Sequence, residues 1–393
     1  MPEETFWEGI SQLPAGHRLE FSNGKLNIEK WYHFEEAVAQ QPRGLSYVEA
    51  KEHYVRLLKD SIRLRFRADV PVGFNISGGL DSSVLLAMVN NFTHGSKNIN
   101  AFTFYTGDAR YDELEWVQMM LSHTQNPLTK IRLDWHEVPA LAAFTAMHQD
   151  EPFGGIPTLA YCEIFRKARE QGVIVLLDGQ GMDEQWAGYD YYTAKSGEII
   201  QGVSQSPFRP GALSKAFLAK AEKPSYPKPF GDDLLNMQFR DLFYTKIPRA
   251  LRFNDRISMA HSTELREPFL DHRLVEFAFS LPADYKIRDG VTKVMLREIA
   301  AEYLSNELVF APKRPLQTPQ REWLAGELRE FAQAQIGKIA ESPYAHWFDL
   351  GALASEWKKY GDGDRQSSFH IWQWIGLGLQ CGASAKAANK ATD

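Results

Sequence analysis

The sequence has little of what marks several common protein classes. Its 393 residues contain only two cysteines, Cys162 and Cys381. They lie far apart and form no metal spacing, which excludes a disulfide scaffold or a zinc ribbon and fits a reducing compartment. There is no excess of basic residues: 44 Lys and Arg stand against 50 Asp and Glu, a net charge of −6. That balance leaves no electrostatic footprint for nucleic acid. No stretch of about 18 consecutive apolar residues occurs, so no membrane span is expected. The opening Met1-Pro2-Glu3-Glu4 is acidic and has no apolar core, so no secretory signal is expected and the cytoplasm is the expected location. No repeat and no coiled-coil heptad is found. A Walker A ending, Gly-Lys-Ser/Thr, is missing throughout. What remains is a chain with 44% hydrophobic residues, enough for a large core and for two or three domains.

Against this background one segment stands out, Ser77-Gly78-Gly79-Leu80-Asp81-Ser82-Ser83. It follows the apolar run 70–76 and precedes the apolar run 84–89, giving the order strand, glycine turn, helix. Such a turn aims backbone N–H groups and a helix N-terminus at one point, which suits a phosphate. The glycines allow close approach and the serine hydroxyls add donors. A carboxylate beside phosphates, here Asp81, implies a bridging Mg²⁺. The bland alternative is a Gly-Ser turn before a helix with Asp81 stabilising its N-terminus, and both roles can hold together. The segment resembles the pyrophosphate loop of the N-type ATP pyrophosphatases, which break ATP between its α and β phosphates.

Three further segments follow in order. Leu177-Asp178-Gly179-Gln180-Gly181-Met182-Asp183-Glu184 ends a second apolar run. Arg256 to Asp271 contains Glu264-Leu265-Arg266-Glu267-Pro268-Phe269-Leu270-Asp271, and Pro312-Lys313-Arg314-Pro315 comes last. Together the four resemble the synthetase domain of glutamine-dependent asparagine synthetase, class B, over nearly the whole chain.

The periodicity predicts an α/β fold with a doubly wound parallel sheet and a mostly helical C-terminal part. Residues 1–45 read as a linker-like segment with a hairpin turning at Asn23-Gly24. Residues 46–67 have helical spacing, with Tyr47, Ala50, Tyr54, Leu57, Leu58 and Ile62 on one face. Strands at 70–76, 100–105, 128–133 and 173–177 alternate with helices at 81–92, 111–123, 137–148 and 159–170, completing a core over 46–195. Ligands of such sheets sit at the C-terminal strand ends, where the Ser77 loop, Phe104 and the Asp178–Asp183 loop fall. The Pro-rich stretch 196–232 reads as an irregular loop or lid, 233–380 as helical, and 381–393 as a disordered tail.

The resemblance implies roles residue by residue. ATP and Mg²⁺ are the implied cofactors. Ile76, Ser77, Gly78, Gly79, Asp81, Ser82, Ser83, Phe104, Asp178 and Gly179 match nucleotide-binding positions. Asp81 and Asp183 match the acids on Mg²⁺ and pyrophosphate, and Lys313 the lysine that stabilises charge on the phosphate and acyl centre. Ile76 and Phe104 are equally what a buried strand end looks like, Lys313 what a solvated loop lysine looks like. Glu264 and Arg266 read as a structural ion pair.

Two positions depart from the family pattern. Gln180 stands where the family carries a glutamate regarded as the base that deprotonates the amine. Glutamine cannot titrate. Either the base lies elsewhere, or the nucleophile arrives neutral, or the glutamine replaces a natural glutamate. Around Leu251-Arg252 an expected acid is missing and Arg249 is present, which suits a different or larger acid substrate. The family's glutaminase half would need a cysteine just after the initiator Met, where Pro2 stands. This chain alone is therefore expected not to hydrolyse glutamine, and a separately encoded glutaminase is a candidate partner. The expected reaction is adenylation of a small carboxylate, aspartate by default, followed by transfer of ammonia or an amine. The alternatives are a relative acting on another acid or amine and a non-catalytic nucleotide-binding subunit. Nucleic acid and membrane are not expected partners, and self-association is left open.

Overall fold

In the computed structural model, residues 3–93, 99–193, 208–311, 318–364 and 367–390 are described. A two-stranded ribbon comes first, β1 (His17–Ser22) paired antiparallel with β2 (Lys25–Lys30). Positive φ at Asn23 and Gly24 makes the two-residue turn that the Asn-Gly pair requires. Then α1 (Phe34–Ala39) leads to α2 (Tyr47–Arg65). The long helix starts where its sequence says it should. Ser46 accepts from the Glu49 N–H and the Glu49 carboxylate accepts from the Ser46 N–H, a reciprocal cap.

The central sheet has five parallel strands. They are β3 (Val72–Asn75), β4 (Ala101–Tyr105), β5 (Leu128–Arg132), β6 (Val175–Leu177) and β7 (Glu264–Arg266), in the order β5-β4-β3-β6-β7. The chain winds outward from β3 through β4 to β5, then returns to the other side of β3 with β6. The switch point is therefore the crevice beyond the ends of β3 and β6. Helices α3 (Leu80–Phe92), α4 (Leu114–Thr124), α5 (Val138–Gln149) and α6 (Ile156–Glu170) connect these strands.

Period-two burial on both faces explains the near-continuous apolar strands. Phe74, Ile76, Val175 and Leu177 face a core with Tyr54 and Leu58 of α2, Val84 and Leu85 of α3 and Val117 of α4. Phe102, Ile131 and Leu176 face the opposite core with Ile164 and Phe165 of α6 and Ile257. A third core joins α5 and α6 to the C-terminal helices through Leu324, Tyr360 and Ile371. No helix among the described residues is long and apolar enough to cross a membrane.

The predicted fold class is correct, and the four expected strands lie within about two residues of their expected limits. The fifth strand is not among them. Glu264–Arg266 is three residues long at the sheet edge, too short to show alternation, so the part read as helical also completes the sheet. α4 begins at Leu114, later than expected, because the Asp112 carboxylate accepts from the Thr106 and Gly107 N–H groups and holds the preceding loop. The final helix, Phe369–Lys390, runs on where the sequence reading assigns no structure; alanine, the best helix former, dominates that stretch. Within the stretch 196–232 read as a loop or lid, residues 196–207 lie outside the described residues, while Pro210–Ala212 and Lys215–Leu218 form short helical turns.

The strap after β7 is tied to α2 by charge. The Arg65 and Arg273 guanidiniums each reach Asp271 at 2.9 and 2.8 Å, and Ser61 donates to the Pro268 carbonyl. Burial alone would push the Asp271 carboxyl up, but the bonds from Arg273 and the charge of Arg65 outweigh it and hold it at about 2. A carboxylate depressed in this way stabilises the fold above its unfolded value of 3.8 and loses that contribution as pH falls toward 2. Asp271→Asn should cost about 2 kcal/mol at pH 7, with the gap to wild type closing between about pH 4 and pH 2. Denaturant unfolding at several pH values checks this; a pH-independent gap would mean that packing, not charge, is lost.

Candidate active site

At the end of β3 the chain turns through Ser77 to Gly79 into α3, whose N-cap residue is Gly79, with no side-chain cap. The helix N-terminus is thus left to its backbone donors. The turn is held from within: Ser82 Oγ accepts from the Ser77 N–H at 3.3 Å and donates to the Gly79 carbonyl at 3.2 Å. Ser82 and Ser83 are both buried, and Ser83 Oγ has no hydrogen-bond partner among the described residues. Beside it, at the end of β6, Gly179 packs directly on the first turn of α3. A Cβ there would meet the Ser82 backbone N at 3.0 Å. The two loops touch because one of them carries no side chain at that point.

A cavity opens at these strand ends, lined by Ile76 and Ser77 of the β3 end, Thr103 and Phe104 of β4, Tyr161 of α6 and Asp178. Four of the predicted nucleotide residues, Ile76, Ser77, Phe104 and Asp178, line it. Asp178 is buried and turned into a local network. It accepts from Asn75 Nδ2 at 3.1 Å, from the Tyr161 hydroxyl at 3.3 Å and from the Gly179 N–H at 2.6 Å. Burial pushes its carboxyl up against those bonds. Neither Asn75 nor Tyr161 was singled out from the sequence.

Asp81 and Asp183, 102 positions apart in the sequence, converge on a single ammonium. Lys293 Nζ lies 2.6 and 2.7 Å from the two oxygens of Asp81 and 2.6 Å from Asp183 Oδ1. Burial alone would lower the Lys293 pKa; the carboxylates of Asp183 and Asp81 outweigh it and hold the ammonium charged. Lys293 has φ 58°, a left-handed backbone uncommon for a non-glycine residue, and its N–H donates to the Trp186 carbonyl. Gly188 makes room for the group, since a Cβ there would collide with both Asp183 and Lys293. The sequence reading missed Lys293. One signal was available: a lysine immediately before the helix Val294–Ala300 sits at the end where the helix dipole disfavours a cation.

Next to this group, Glu184 is buried and accepts from the Tyr189 hydroxyl at 2.6 Å; burial and the neighbouring Asp183 push it to about 7. Lys246 lies 5.0 Å from the centre of the Tyr189 ring, and burial pushes its ammonium down. Gln180 lies at the mouth of the β6 loop, where its backbone N–H donates to Glu267 at 3.3 Å. Lys313 falls outside the described residues. Glu264 and Arg266 form the expected pair at 2.7 Å, and Arg266 also donates to the Arg65 and Arg67 carbonyls, the geometry of a structural tie. Arg252 is committed to Glu151 at 2.8 Å, while Arg249 lies exposed on the same helix, Ile247–Ala260.

The donor set suits a divalent cation bound together with phosphate. Two carboxylates reach one point, and no group of three or more metal-ligating side chains occurs among the described residues. Too few for a protein cage, they fit an ion such as Mg²⁺ that keeps water and phosphate oxygens in its shell.

The asparagine synthase family profile matches residues 53–385. A putative glutamine-hydrolysing asparagine synthetase of Mycobacterium bovis is 27% identical over 95% of this chain and 64% of its own length. Asparagine synthetase 3 of Bacillus subtilis is 25% identical over 80% of this chain and 55% of its own. Amidase chyE of Penicillium rubens is 22% identical over 98% of this chain and 70% of its own. The chain thus spans a little over half to two thirds of the length of the two synthetases.

Lys293→Met should destabilise the protein by about 3 kcal/mol or more, because it leaves two carboxylates facing each other without their shared ammonium. Millimolar Mg²⁺ should raise the melting temperature of this variant more than that of wild type. Equal melting temperatures in the two proteins would show that the ion triad contributes nothing to stability.

Proposed function

The chain belongs to the asparagine synthase family, and on that premise we propose that it is an ATP-dependent, AMP-forming amide synthetase. It adenylates a carboxylate, aspartate being the first candidate, and passes ammonia to the acyl-adenylate. The observation that carries this reading is the meeting of Asp81, Asp183 and Lys293 at the sheet's switch point, beside the serine-glycine loop.

The adenine and ribose take the cavity bounded by Ile76, Phe104 and Asp178. The uncapped N-terminus of α3, with Ser77 and Ser82, receives the β and γ phosphates. Asp81 and Asp183 would hold Mg²⁺, which supplies charge neutralisation to the departing pyrophosphate. Lys293 adds a fixed positive charge where negative charge accumulates, and as a buried group it needs no reorganisation at that moment. Lys313 is proposed for the acyl and α-phosphate side. Ammonia arrives free or from a glutaminase, and a cytoplasmic setting suits both.

A second reading keeps the adenylation and changes the acid. Lys246 beside the Tyr189 ring, with Arg249 on the same helix, offers positive charge to an acid other than aspartate. Exchange of labelled pyrophosphate into ATP, run across a panel of carboxylic acids, separates the readings. Aspartate-dependent exchange is the expected result, and Asp81→Asn and Asp183→Asn should each reduce it by about a hundredfold or more. Exchange with another acid alone would favour the second reading. No exchange with any acid would refute adenylation and leave a nucleotide-binding subunit.

A further inference from the structure

Gln180 leaves the proposed reaction without a base at the position where the family resemblance expects one. The neighbouring strand end supplies a carboxylate. Glu267 follows β7 directly, and β7 pairs with β6, whose end carries Asp178, Gly179 and Gln180. One Glu267 oxygen, Oε2, accepts the Gln180 backbone N–H. The other, Oε1, is buried and has no hydrogen-bond partner among the described residues. A buried carboxylate oxygen without a donor is costly, and such an exception calls for a reason. A ligand N–H is one.

We propose that Glu267 binds the attacking amine through Oε1 and takes its proton. This rests on the amide synthetase reading above.

The groups around Glu267 agree with that role. The nearby cations are committed elsewhere: Arg65 to Asp271 and Ser61, Arg266 to Glu264 and two backbone carbonyls. Among the described residues, the other titratable groups that act on it are Asp178 and Tyr161, which bond each other and line the cavity. Burial, and then the charge of Asp178, push the Glu267 carboxyl well above the usual range. A carboxylate raised in this way is a stronger proton acceptor. Glu184, also buried and on the β6 loop beyond Gln180, already accepts the Tyr189 hydroxyl and adjoins Asp183.

The step balances. Ammonium gives one proton to Glu267, and the freed lone pair forms the C–N bond at the acyl carbon. The bond from that carbon to the phosphate oxygen breaks, and AMP leaves with the electron pair. The second surplus proton on nitrogen goes to solvent, and Glu267 later returns its proton to solvent.

The test uses the full chain and the acid that supports pyrophosphate exchange. Amide formation is measured with ammonium chloride across pH, with hydroxylamine as a nucleophile already neutral near pH 7, and exchange reports adenylation separately. Glu267→Gln should lower ammonium-dependent amide formation about a hundredfold or more beyond any loss in exchange. Its rate should keep rising with pH as free ammonia grows, without the wild-type inflection. The hydroxylamine reaction should suffer less, and Gln180→Glu in the same chain should restore part of the ammonium rate. If Glu267→Gln does not fold, Glu267→Asp, which keeps a carboxylate, should fold and show a smaller loss of the same kind. Equal losses in exchange and amide formation would mean a structural role and overturn the proposal. So would an inflection that survives in the variant, which would place the base elsewhere, Glu184 first. No exchange in wild type with any acid would instead refute the synthetase reading, and the proposal with it.

Discussion

One buried ammonium organises the site. Lys293 draws together Asp81, at the head of α3, and Asp183, beyond the end of β6, across the sheet's switch point. Without it, two carboxylates would meet in a confined space and repel. The arrangement is demanding elsewhere in the chain: a left-handed backbone at Lys293, and a glycine at 188 because nothing larger fits. A buried ion group is weak evidence for stability in itself, since desolvation offsets much of the attraction. Its placement beside a loop of backbone donors is what makes it informative.

The rest of the fold brings this group to a fixed place. Parallel strands buried on both faces give a rigid floor, and its two central members end in the two loops that matter. Gly179 lets those loops touch. The strap from β7 through Asp271 back to α2 closes the far side with an ion pair and backbone bonds. Glu267 lies at the start of that strap, so the same segment that ties the sheet edge also delivers a carboxylate to the β6 loop.

Much of this was legible in the sequence, for physical reasons that differ by element. The β3 and β6 strands announce themselves because burial on both faces makes them apolar runs ending in glycine. The amphipathic face of α2 reads directly, and Tyr54 and Leu58 are among its fully buried residues. β7 does not read, because three residues at an edge carry no period. Lys293 and Glu267 do not read either. A glutamate before a proline looks like a surface residue until pairing of distant segments buries it, and the one cue at Lys293, a cation at a helix N-terminus, does not name the distant carboxylates that hold it. Asp178 was read as a ligand of the nucleotide; in the structure its carboxylate is the hub of a network with Asn75 and Tyr161 that no spacing rule predicts.

The central claim is that the site cleaves ATP between its α and β phosphates. Phosphorus NMR of a reaction holding ATP, Mg²⁺, the supporting acid and ammonium tests it most directly. The account predicts AMP and pyrophosphate in step with amide. ADP and inorganic phosphate as the products would contradict it.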